Sequence, residues 1–417
     1  MKNITKLAYF ALVVGIAVLQ SCDSTISENQ LIEIKDFSFD YRISEEVLKN
    51  YLSRSITLSF LTVSSNNPES DIQMIINTGA KYISRANLPW QAETEYTNSI
   101  AIYKEKINEI HSQDSDIIFE SAIFETVWKS CEMTPIPDWV FIAFNEPVLK
   151  RNFSYSKMLF PSGKYVDFWG DGGSVPDITQ LETQMYFYYR ACKYIDAGFE
   201  AIHWGQVMLI GENDTDYQDF HKVFKIVRQY ASKHARRHFI LFNGHTHGII
   251  DPDGKLLFDF HSYPLRIKTM NGEKPHATSE LNPQRVIFEV NYLDAIYTKS
   301  LGGTTVSGWD CTTLPYFVEI DNYGGYQKGS LNKPGVDYWP WGMDEISWFV
   351  NQPSSYRTSW LKEAYSWVRN TDQAGFLCMP GSRPFYSIKK DKIIWYYANS
   401  NEFNDENAIK AVWNSAY

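Results

Sequence analysis

Five stretches of this chain end in side chains able to transfer protons, accept hydrogen bonds or stack against rings. They are Trp204-Gly205-Gln206, Asn243-Gly244-His245, Asp259-Phe260-His261, Glu289 and Trp309-Asp310. Two carboxyl groups suffice to cut a glycosidic C–O bond, because one protonates the leaving oxygen while the other attacks or activates water. Glu289 closes the apolar run Val286-Ile287-Phe288 and is the leading catalytic candidate. Its partners by type and setting are Glu120, after Ile117-Ile118-Phe119, and Glu146, in Asn145-Glu146-Pro147; Glu212 is a further acid. An acid working near neutral pH needs its pKa raised by burial or by a second negative charge.

The same stretches supply recognition groups. Gln206, Asn243, His245 and His261 can hydrogen-bond hydroxyls, Trp204, Tyr263 and Trp309 offer flat faces, and Asp310 can accept from a hydroxyl. Aromatic residues make up 16% of the chain, with 13 Trp and 27 Tyr, enough to furnish both a large core and a stacking surface. His203, His245, His247, His261 and Asp310 allow a second chemistry, a metal site, which demands that neutral imidazoles and a carboxylate converge. No metal and no other cofactor is expected, and there is neither a GxSxG elbow nor a Gly-rich phosphate loop.

These groups need a scaffold that brings strand ends together. Eight runs rich in apolar and β-branched residues predict strands at Ser55 to Val63, Lys81 to Leu88, Asp116 to Ile123, Phe199 to Val207, His238 to Asn243, Leu256 to His261, Arg285 to Asn291 and Thr304 to Trp309. Helical spacing separates several of them. Tyr96, Ile100, Tyr103, Ile107 and Ile110 share one face, as do Leu181, Met185, Tyr188, Cys192 and Ile195 before Gly198, and Phe220, Phe224, Val227 and Ala231. The connections after strands five and six lack a helical period. The expected fold is α/β, a (β/α)8 TIM barrel whose site lies at the carboxyl ends of its strands. Residues 125 to 176, rich in proline, glycine and aromatics, form a long insertion after strand three that would lie over the site. A helical region from Asp344 to Asn370 and a hairpin of Tyr386 to Lys389 with Ile393 to Ala398 complete the chain.

The order of strands over residues 55 to 370, with a carboxylate ending the seventh, resembles the (β/α)8 glycoside hydrolases. That resemblance implies a nucleophile at Glu289. In that group an Asn-Glu-Pro triplet commonly carries the acid at the end of strand four, whereas here it falls inside the insertion and strand four ends in Gln206, which cannot titrate. The histidine set resembles metal-dependent barrel hydrolases, although their His-x-His belongs on strand one, which here ends in Thr62-Val63-Ser64.

The first residues resemble a bacterial lipoprotein signal: Lys2 and Lys6, an apolar stretch from Leu7 to Leu19, then Leu19-Gln20-Ser21-Cys22. The resemblance implies cleavage after residue 21, a lipid on Cys22, and a location outside the cytoplasm on the outer membrane or cell surface. Residues 22 to 54 read as a tether and leading element, and 55 to 417 as one barrel with its C-terminal extension. The formal charge of −10 grows more negative once Lys2 and Lys6 are removed, which disfavours nucleic acid as a partner. Cys131, Cys192, Cys311 and Cys378 have no CxxC spacing and fit either two disulfides or buried thiols. The expectation is a glycan-processing lipoprotein, a glycoside hydrolase acting on an oligo- or polysaccharide. A glycan-binding lipoprotein without catalysis and a metal-dependent barrel hydrolase are the alternatives.

Overall fold

The computed structural model describes residues 35–59, 61, 68–87, 93–265, 268–269, 286–287, 299–320, 325 and 343–415. Cys22 with its leader, and Glu289, lie outside the described residues. Eight parallel strands are present among them: β1 (Ser55–Leu58), β2 (Tyr82–Asn87), β3 (Ile118–Ala122), β4 (Ala201–His203), β5 (Leu241–Asn243), β6 (His261–Pro264), β7 (Tyr316–Glu319) and β8 (Gly375–Ser387). Ladders join them in the order β5-β4-β3-β2-β1-β8-β7-β6. Across the remaining seam, Asp259 N donates to Phe242 O at 3.0 Å and Ser262 N to Gly244 O at 3.4 Å. The sheet is thus a nearly closed (β/α)8 barrel.

Helix α1 (Glu45–Leu52) precedes the barrel, and α2 (Pro68–Thr78) and α3 (Glu93–His111) follow β1 and β2. The insertion after β3 holds the short α4 (Asp138–Ala143), and then come α5 (Leu181–Ala197) and α6 (Gln218–His234) on either side of β4. After β7 run α7 (Glu345–Val350) and α8 (Ser354–Thr371); β9 (Lys392–Tyr397) pairs antiparallel with β8, and α9 (Glu406–Ser415) closes the chain. The periodic faces behave as their spacing requires. Phe220, Val223, Phe224, Val227 and Ala231 of α6 are all buried, and α5 stops at Gly198, whose φ of +100° gives the left-handed turn that ends helices.

Alternation along the strands sorts side chains into two cores. Outward residues such as Phe119, Ile202, Phe242 and Val318 pack under the helices. Inward residues Tyr82, Ile118, Ala201, Leu241, Phe260, Phe317, Phe376 and Cys378 fill the base of the barrel, where Val47, Leu48, Tyr51 and Leu52 of α1 plug it. The plug is fastened by Tyr51, whose hydroxyl lies 2.7 Å from both Phe37 O and Asp116 O. Two residues further along β2 to β7, the inward position turns polar: Ser84, Glu120, His203, Asn243, Ser262 and Glu319 are all fully buried. An apolar floor therefore supports a polar layer near the carboxyl ends.

The first five strands match expectation, the sixth is shifted from Leu256 to His261 onto His261–Pro264 because residues 257–260 form bends, and the last two required correction. Of the expected seventh strand, Arg285 to Asn291, the described residues Val286–Ile287 pair antiparallel with Lys268–Thr269 in a separate two-stranded sheet. The expected eighth supplies Gly303–Thr304, paired with Asp310–Cys311. The actual seventh is Tyr316–Glu319, and the actual eighth is the first arm of the C-terminal hairpin, extended back to Gly375. At Gly381 a Cβ would stand 2.8 Å from Thr57 O, so only glycine permits the close approach of β8 to β1 where their register shifts. Residues 244–260 after β5 contain no helix, as expected. Cys131, Cys192, Cys311 and Cys378 are free thiols.

Candidate functional site at the carboxyl end of the barrel

Arg85 organises the site. It has φ +58° and sits where the pairing of β2 with β3 slips between Ile83 and Asn87, an irregularity that lets adjacent Ser84 and Arg85 both reach the inner carboxylates. Its guanidinium grips Glu319 with two donors: Nη2 to Oε1, and Nε to Oε2 at 3.3 Å. Side-chain exposure is 3% and 0%, so this is a desolvated ion pair in which each charge depends on the other. Burial pushes the Glu319 carboxyl up, but the Arg85 charge and hydrogen bonding outweigh it and hold the group well below the usual carboxylate range. His245 stands at the edge of this pair, its Nε2 3.4 Å from Arg85 Nη2 and 4.0 Å from Glu319 Oε1.

Glu120 is held differently. Oε1 accepts from Ser84 Oγ at 3.0 Å and Arg85 N at 3.1 Å; Oε2 accepts from Tyr82 Oη at 2.5 Å and Asn243 Nδ2 at 2.7 Å. Burial raises its pKa despite the opposing Arg85 charge. With two donors on each oxygen, its acceptor capacity is used within the protein. Asn243 passes the contact on, since its Oδ1 lies 2.7 Å from His203 Nδ1, which is also 3.2 Å from Ser262 Oγ. Burial, followed by the nearby Arg85 and His245, keeps His203 well below the usual imidazole range.

A rim stands beside this layer. Glu125, 4% exposed, accepts from Gln206 N and Gln206 Nε2, both at 2.9 Å, which latches the loop after β3 to the end of β4. Gly205 makes the latch possible: its φ is +59°, and a Cβ there would lie 2.1 Å from Glu125 Oε2. The insertion joins the rim through Trp169, whose indole donates to Glu125 O at 2.8 Å. Phe124 bridges inward, 5.6 Å from the Arg85 guanidinium and 5.7 Å from the His203 ring.

Glu120, within β3, and Gln206, Asn243 and His245, at or after strand ends, thus gather toward the carboxyl end of the barrel. Several others do not. Trp204 is fully buried on the outer face among Phe187, Phe224 and Phe242, so it packs the helix layer and offers no stacking face. Tyr263 and His261 belong to the outer side of β6, where both hydrogen-bond Ser300, at 3.1 and 2.9 Å. Burial, then the neighbouring His247, brings His261 down to about 3. Trp309 donates to Ile43 O at 3.0 Å and packs against the basal core, which places it at the opposite end of the barrel. Asp310, exposed in the same hairpin, accepts from Thr304 Oγ1 at 2.5 Å. Glu146 follows α4, which packs on α5 in the insertion, and Glu212 binds Lys164 and Tyr165 on the surface. No three His, Cys, Asp or Glu side chains among the described residues are grouped to hold a metal ion. His261 on the outer face and Asp310 in the basal hairpin cannot complete such a set with His203 and His245.

Sequence reasoning missed Arg85, Glu125 and Glu319. Glu319 had a usable signal, because Tyr316-Phe317-Val318-Glu319 has the same form as Ile117-Ile118-Phe119-Glu120. Arg85 had none, since it depends on a strand irregularity.

No protein-family model and no curated protein matches the chain. Similar solved structures include the native Nostoc punctiforme debranching enzyme, with 13% identity and a TM-score of 0.29 over 51% of this chain and 52% of that one. The acarbose-soaked form of that enzyme has 12% identity and a TM-score of 0.37 over 83% and 70%. In the first alignment the chain spans about half the length of its neighbour. The barrel assignment rests on the strand ladders.

Proposed function

We propose that the chain is a glycoside hydrolase-type enzyme whose ionised carboxylate is Glu319. The observation that carries this reading is a carboxylate on the inward face at the end of β7, kept charged by Arg85 and neighboured by the partly accessible His245. This is the position where barrel glycoside hydrolases carry their nucleophile, so the strand-seven expectation moves from Glu289 to Glu319. An ionised carboxylate can attack as a nucleophile, whereas its lowered pKa makes it a weak base toward water. Glu289, the nucleophile or base expected from the sequence, lies outside the described residues. Glu120 has the raised pKa an acid needs, but its oxygens already accept four bonds.

One observation favours a second reading, binding without cleavage. Glu120 and Glu125 are both engaged within the protein, and Gln206 stands at the end of β4 where an acid would serve. Reducing-end release from a panel of neutral polysaccharides separates the two. Under the enzyme reading, Glu319→Gln lowers turnover by roughly 10²- to 10⁴-fold while affinity electrophoresis still shows binding. A wild type that binds a polysaccharide and cleaves none establishes the binding reading instead.

The chain is further proposed to be exported and lipid-anchored through Cys22, on the strength of the Lys2, Lys6 and Leu7 to Leu19 pattern. Among the described residues no helix is long and apolar enough to cross a membrane. Fatty-acid labelling that persists in a Cys22→Ser variant refutes this.

A further inference from the structure

His203 holds a lone pair whose direction is dictated by the backbone of another strand. The chain of constraint begins at Arg85 N, which can only donate and which bonds Glu120 Oε1 at 3.1 Å. With Glu120 ionised, its Oε2 receives Asn243 Nδ2 at 2.7 Å, which turns Asn243 Oδ1 toward His203 Nδ1, also at 2.7 Å. An amide oxygen accepts, so Nδ1 carries the imidazole proton. Burial and the adjacent Arg85 and His245 oppose a second proton. The ring is therefore neutral, with its lone pair on Nε2.

That Nε2 atom is fully buried and has no hydrogen-bond partner among the described residues. Its ring is walled by Phe124 and His245, at 5.7 and 4.8 Å between centroids, and both follow strand ends on the mouth side. A buried acceptor left unsatisfied costs about 1–3 kcal/mol, a cost removed when a ligand supplies the donor. The charges beside it are already balanced, because Arg85 is paired with Glu319. An anionic group would meet a lone pair here, whereas a hydroxyl would satisfy it.

We propose that His203 is a binding residue whose Nε2 accepts a hydroxyl hydrogen from a neutral glycan, with Glu120 and Asn243 as the positioning residues that fix its tautomer. The glycan rests on the reading under Proposed function; the tautomer relay does not.

The test is nitrogen-detected NMR of the full chain with ¹⁵N-labelled histidine, the His203 signals being assigned by their loss in His203→Gln. The expected wild-type ring is protonated at Nδ1 and bare at Nε2. In Glu120→Gln the amide oxygen must stay against Arg85 N, so the amide NH2 faces Asn243, turns it over, and moves the proton to Nε2. A wild-type ring protonated at Nε2, or an unchanged tautomer in Glu120→Gln, overturns the relay. Maltohexaose, cellohexaose, xylohexaose and mannohexaose are then added, with an oligogalacturonate as the anionic comparison. A neutral hexaose that binds and shifts Nε2 supports the assignment. A hexaose that binds without moving Nε2, or stronger binding of the oligogalacturonate, overturns it. If the relay is confirmed and none of these saccharides binds, the glycan assignment for His203 fails with the glycan reading, while the relay survives.

Discussion

Replacing Arg85 by Met tests whether the Glu319 pair governs the barrel mouth. Methionine keeps the length and flexibility of the side chain but leaves a buried carboxylate without its charge partner. Both side chains are at most 3% exposed, so solvent cannot compensate. Breaking one side of such a pair costs about 3–5 kcal/mol, which at roughly 1.4 kcal/mol per tenfold lowers the folded-to-unfolded ratio by two to four orders of magnitude. The pH dependence carries a definite sign. In the wild type the folded pKa of Glu319 lies below its unfolded value, so the stability it contributes is fully present above the ordinary glutamate value of 4.5 and fades as pH falls below it. Without Arg85 the burial effect remains and the folded pKa rises, so the penalty is largest near neutral pH and shrinks in acid. Urea unfolding of both proteins at pH 7, 5.5 and 4 should show curves that converge as pH falls. Adding Glu319→Leu to the variant should recover most of the loss, because a well-packed apolar pair can replace a buried ion pair. A loss below about 1 kcal/mol at pH 7, or one independent of pH, refutes the account of the pair.

Gly205→Ala forces a Cβ against Glu125 Oε2 at a left-handed backbone position, and should cost about 1–3 kcal/mol and release the Gln206 latch; unfolding and turnover measured together check it, and an unaltered variant shows the latch to be incidental. Trp309→Ala should lower stability by about 1–3 kcal/mol, through lost packing and the lost bond to Ile43 O, while glycan turnover stays within about twofold. Loss of glycan binding at unchanged stability would return Trp309 to the mouth.

The first five strands were legible because each is a compact apolar run with a clear boundary. β7 was not, since four residues after Pro315 are too few to show a period, and Arg285 to Asn291 offered a longer run with the same terminal carboxylate. β8 was hidden within what looked like a peripheral hairpin. The site was half legible for a related reason. Glu120 sits within a strand and Asn243 and His245 at or after strand ends, and all three could be nominated from position alone. Trp204 and Tyr263 also sit at strand ends, but alternation turns them outward, and a one-residue uncertainty in register exchanges the two faces. Arg85 needed knowledge of an irregularity that leaves no trace in composition. Glu125 and Gln206 become partners only when two loops meet.

Among the described residues the plugged floor closes one end of the barrel. With α1 and the ring of Phe260, Phe317 and Phe376 sealing the base, nothing can thread along the axis. Among the described residues the partly accessible His245 stands beside Glu319, so an arriving and a departing molecule would share the mouth side. Water reaching the polar layer takes that route as well, and an occupied mouth is consequently a dry one.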